Sequence, residues 1–148
     1  MYNSIRATKK LVAFTLVLAL ATLSGCSDAG KELAIAAKIN IEVQNYVIGA
    51  EKAGTIPTLD AKKIIDATGK VGEAGLRAVE IIERVKNNDP TTTTAALDAL
   101  GIIVDELGKL RLEVVGVKNP TSRHQIEGLL AVIETSLNSA RVIIAAKQ

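Results

Sequence analysis

Three prolines break most of this chain into pieces of similar length. Gly54-Thr55-Ile56-Pro57-Thr58, Asn87-Asn88-Asp89-Pro90 and Lys118-Asn119-Pro120 each set a proline beside turn-forming residues, and neither a helix interior nor a central strand tolerates that combination. Between the breaks lie four segments of 23 to 28 residues, about Lys31 to Ala53, Leu59 to Lys86, Thr91 to Val117 and Arg123 to Ala146. Segments this long are not strands, even where β-branched pairs such as Ile64-Ile65, Ile81-Ile82 and Ile102-Ile103 crowd them, because strands seldom exceed about ten residues.

Within each segment apolar residues recur every three or four positions, the period of one helix face. The first stripe reads Ala36, Ile39, Val43, Tyr46, Ala50, and the second Ala61, Ile65, Thr68, Gly72, Gly75, Val79, Ile82. The third reads Leu97, Leu100, Val104, Leu107, Leu110, Val114. The fourth is the most regular, with Ile126, Leu130, Ile133, Leu137, Ala140 and Ile144 in a 4-3-4-3-4 series. Asp89-Pro90 supplies a helix cap followed by proline at the first helical position, and Ser122 with Gln125 has the spacing of a capping box. Four helices of roughly 38 Å joined by short loops predict an all-α, antiparallel up-down-up-down four-helix bundle. That topology brings both ends of the domain to one end of the bundle.

Upstream of the bundle the character changes. Arg6, Lys9 and Lys10 precede the uncharged run Leu11 to Leu23, which is thirteen residues long. That is short of the ~20 residues needed to span a bilayer, and it matches the apolar middle of a secretory signal peptide. The run ends in Leu23-Ser24-Gly25-Cys26, which contains the only cysteine. This stretch resembles the lipobox of bacterial lipoproteins. The resemblance implies cleavage before Cys26 and a diacylglyceryl group on its thiol, and it divides the chain into a signal peptide (1–25), a lipidated tether (26–30) and the bundle domain (31–148). Asp28, not residue 27, carries the first acid after the cysteine, which leans the implied sorting toward the periplasmic face of an outer membrane. A single cysteine can form no disulfide within the chain and no thiolate metal cage.

Cleavage there would alter the charge. Three of the 18 Lys and Arg lie before Cys26, leaving 15 against 16 Asp and Glu. The sequence pI of 8.7 therefore belongs largely to the leader. The remainder has mixed signs and no basic stripe, so nucleic acid is not an expected partner. Tyr46 is the only aromatic beyond Cys26, which argues against sites that stack sugars, bases or flavins.

The candidates for chemistry are few. Gly69-Lys70-Val71 imitates the end of a phosphate loop, but Ile64 stands where the first glycine belongs and Val71 where Ser or Thr belongs. Gly69, Gly72 and Gly75, spaced by three, instead make a smooth strip for close helix packing, a kink or a ligand notch. His124 is the sole histidine and has no second His or Cys to complete a metal site. The Glu-x-x-His pairs of di-metal bundles do not occur. Asp105, Glu106, Glu80 and Glu83 read as solvated faces, and Thr91 to Thr94 as a polar helix start. The expectation is therefore a non-enzymatic, cofactor-free lipoprotein of the bacterial envelope, held to the membrane through Cys26. It would act by protein contact or as a structural factor; the alternative is a carrier of a small apolar or lipid ligand between helices.

Overall fold

The computed structural model describes residues 28–84 and 90–146, with side chains over 28–82 and 91–146. Leu23, Ser24, Gly25 and Cys26 lie outside the described residues, as does the 85–89 connection with its expected Asp89 cap. Four helices follow in order: α1 (Asp28–Lys52), α2 (Thr58–Arg84), α3 (Pro90–Val115) and α4 (Pro120–Ala145). Each packs on its two neighbours around a square, α1 against α4 and α2 against α3 most extensively, with no pairing across either diagonal. This is the antiparallel four-helix bundle that the spacing predicts.

The ends of the helices follow from local chemistry. Asp28 in the first turn and Lys52 in the last complement the α1 dipole, and Asp28 accepts from Lys31 Nζ at 2.9 Å. Beyond Lys52 the chain reverses at Gly54, whose φ is +72°. Gly54 N–H donates to Glu51 O and Thr55 N–H to Ala50 O, both at 2.9 Å, the paired bonds of a Schellman stop. Ile56 then folds inward and is almost fully buried. Pro57 O accepts from Ala61 N–H at 2.9 Å and so opens α2.

The start of α4 corrects the expected capping box. The helix begins three residues early, with Asn119 as its N-cap and Pro120 in the first position. Asn119 Oδ1 accepts from Ser122 N–H at 2.9 Å, so Ser122 is the capped residue, not the cap. Its hydroxyl turns inward and donates to Thr55 Oγ1 at 3.2 Å, joining the α1–α2 turn to the α3–α4 turn.

The core is aliphatic along its whole length. All six residues of the expected α4 stripe are buried, five of them with no exposure at all. Each large aliphatic side chain so removed from water contributes about 1.5–3 kcal/mol before entropy is counted. α3 buries Leu100, Leu107, Leu110 and Val114 as expected, and adds Ala96, Ala99 and Ile103 while Leu97 and Val104 are half-buried. On α1 the buried face is Leu33, Ala36, Ala37, Asn40, Val43, Val47 and Ala50; the expected Ile39 and Tyr46 sit half-buried at its edge. On α2 Ala61, Thr68, Gly72 and Ile82 of the expected stripe are buried, while Ile65, Gly75 and Val79 are half-buried and Ile64, Ala74 and Ala78 are buried beside them.

By length and composition α4 could cross a membrane, with a mean hydropathy of 1.4 over its most apolar window. A core helix passes the same test, and here the apolar stripe of α4 fills the bundle interior.

Candidate functional site

Helices α1 and α2 bring two polar residues together inside an apolar core. Asn40 is 1% exposed and Thr68 is fully buried. The Asn40 side chain donates from Nδ2 to the Thr68 backbone carbonyl at 3.0 Å. Thr68 Oγ1 donates to Ile65 O at 2.8 Å and accepts from Gln44 Nε2 at 3.0 Å. Two successive turns of α1 are thereby clasped to one residue of α2. Among the described residues, Asn40 Oδ1 is the one buried side-chain polar atom with no hydrogen-bond partner.

Beside Asn40 lies a small, partly open crevice of about 20 Å³. All four helices wall it: Ala36, Ala37 and Asn40 from α1, Val71, Gly75 and Val79 from α2, Ile103 from α3, and Ile133 and Leu137 from α4. Asn40 is the only polar side chain in that wall. A volume of this size admits about one water molecule, not an acyl chain. Of the glycine strip, Gly75 reaches the crevice, whereas Gly69 and Gly72 are buried in α2 without lining it.

Charged groups stay on the outside. Arg111 Nη2 on α3 meets Glu134 Oε2 on α4 at 2.6 Å, across the seam between those helices. Lys109 Nζ lies 2.6 Å from Glu106 Oε1, and that hydrogen bond and charge hold the Lys109 pKa above its usual value. Such exposed pairs contribute little to stability. Among the described residues no three His, Cys, Asp or Glu side chains cluster as metal ligands, and His124 is exposed on the first turn of α4. Thr93 is buried, so the threonine run at the start of α3 presents one of its members to the core.

Sequence reasoning missed Asn40, although a signal was there. It interrupts an otherwise apolar 3/4 series through Ala36, Val43 and Val47, as a polar residue in a core position. Also missed were large apolar side chains left in solvent at the end bearing the α1–α2 and α3–α4 turns. Leu59 opens α2 and is 65% exposed, while Leu112 and Val115 near the end of α3 are 74% and 64% exposed. The antiparallel α2–α3 pairing brings these two helix ends to the same end of the bundle. No protein-family model, curated protein or solved structure matches the chain.

Proposed function

We propose that this protein is a lipid-anchored bundle of the bacterial envelope that works by contacting another protein. The observation that carries the reading is Leu23-Ser24-Gly25-Cys26 at the end of an uncharged run behind a basic start. Its thiol, as a thioether to diacylglycerol, would tether the chain, and a second acyl chain makes such anchoring durable. Helix α1 begins at Asp28, two residues beyond Cys26, which supports a bundle held close against the bilayer with no long stalk.

In this arrangement the anchored end carries the start of α1 and the end of α4, and the far end carries the two turns. Leu59, Leu112 and Val115 lie at that far end, where exposed large apolar side chains outnumber those toward the anchored end, Ile35 and Val142, and this favours it as the contacting surface. The test is Cys26→Ser in cells fed a labelled fatty acid. The variant should lose the label and accumulate uncut or differently cut; normal labelling would refute the anchor. A photo-crosslinker at Leu112 should capture an envelope protein that one at Val142, on the end of α4, does not. Equal or absent capture from both would refute the far end as the contact.

A further inference from the structure

We propose that the outward face of α3 docks a second copy of this chain, set antiparallel across a two-fold axis level with residue 107. The inference rests on the reading of the far end as the contacting surface and names its partner. Asp98, Ile102, Asp105, Lys109, Leu112 and Gly116 recur at intervals of four and three, and every one of them is exposed. That is the spacing of a coiled-coil seam, and it runs along a face of α3 separate from the buried one. Ile102 and Leu112 on this seam are 57% and 74% exposed.

The residues select both the occupant and its direction. In a two-fold contact residue i meets j while j meets i. With the axis level with residue 107, Ile102 meets Leu112 of the other copy, Asp105 meets Lys109, and Asp98 meets Gly116, each pair occurring twice. Large apolar side chains thus face each other, and the charges beside the axis are matched. A parallel pair would set Asp105 against Asp105 and Lys109 against Lys109. Sliding the antiparallel pair by one heptad would set Ile102 against Asp105, or Lys109 against Leu112. A polar layer within such a seam fixes register in this way. The flank allows close approach: Gly108 lies beside the axis, and Gly101 comes level with Val115 of the other copy, which is 64% exposed. A Cβ built on either glycine meets nothing within 4 Å. Glu106, the other carboxylate near the axis, already accepts from Lys109 Nζ at 2.6 Å. The axis lies past the middle of α3 (Pro90–Val115), so the far halves of the two bundles overlap and the anchored ends point away from each other.

A photo-crosslinker at Leu112 of the full chain in cells, with its products mapped by mass spectrometry, tests this. It should join Leu112 to the segment around Ile102 of a second copy, and one placed at Ile102 should reach the segment around Leu112. Asp105→Lys and Lys109→Asp, both at exposed positions, each set like charges against each other and should each lower that product about tenfold. Expressed together the two variants should restore it, because every charge then faces its opposite. Leu112 joined to Leu112, or no restoration on co-expression, would overturn the proposal. Capture of a different protein alone would overturn it and leave the far end as the contact; capture of nothing would overturn both.

Discussion

Asn40 on α1 bonds the backbone carbonyl of Thr68 on α2, not its hydroxyl, so the clasp between these helices does not depend on the Thr68 side chain. Thr68→Val should therefore lose only the Gln44 and Ile65 bonds of Oγ1, at about 1 kcal/mol. Asn40→Leu removes a hydrogen bond and an unmet acceptor together and should fall within about 1 kcal/mol of wild type. Urea unfolding of the two variants measures both; a loss well beyond that at Asn40→Leu would show the clasp outweighing the unmet oxygen.

The α4 stripe sharply separates core from surface. Ile133 has no exposure and Val142 is 69% exposed, one inside and one outside the same helix. Ile133→Ala should cost about 2–5 kcal/mol, through lost transfer energy and the enlarged cavity. Val142→Ala should stay within about 0.5 kcal/mol. Thermal unfolding followed by circular dichroism distinguishes them.

Asn119 and Gln125 test which residue caps α4. Asn119→Ala removes the acceptor for Ser122 N–H and should cost about 1 kcal/mol. Asn119→Asp keeps that acceptor and adds a charge that suits the helix start, so its stability should equal or exceed wild type. Gln125→Ala should change stability by less than about 0.5 kcal/mol. Equal losses at Asn119→Ala and Gln125→Ala would restore the capping box.

Gly54 is the one described glycine with a positive φ, and a Cβ built on it meets nothing within 4 Å. The cost of Gly54→Ala is then conformational alone, about 1–2 kcal/mol. Gly54→Asn should recover part of it, because Asn tolerates the left-handed region. Chemical denaturation of the pair checks the order Gly, Asn, Ala.

How much of this could be read from residues differs from helix to helix, for physical reasons. α4 spaces its six core positions in an unbroken 4-3-4-3-4 series, and all six were legible although Leu129, Val132 and Val142 lie between them. α1 carries Ala34, Ile35, Ile39, Ile41 and Ile48 around the helix as well as its core residues. With apolar groups on most sides, periodicity did not select a face; docking on α4 and α2 did, and it moved Ile39 and Tyr46 to the edge. In α2 the glycines blurred the stripe, because a residue without a side chain gives no hydrophobic signal on either side. The Asn40 site was illegible for another reason: hydropathy scores a buried amide as surface, and only the neighbouring helix provides the Thr68 carbonyl that makes its burial tolerable. The end of α3 hid Leu112 and Val115 in the reverse sense, as apolar residues that the fold leaves in solvent.

The pairing of α1 with α4 fixes the order in which the bundle can be completed. On the ribosome α1 is made first and its most extensive partner last, while α2 and α3, adjacent in sequence, can join as soon as both exist. The part of the α1 face that meets α4 must therefore wait until α4 is made, with only α2 to cover α1 before then, since non-local contacts form only when both segments are present. A chain stopped inside α4 deprives two helices, not one: α1 loses its most extensive partner and α3 one of its two.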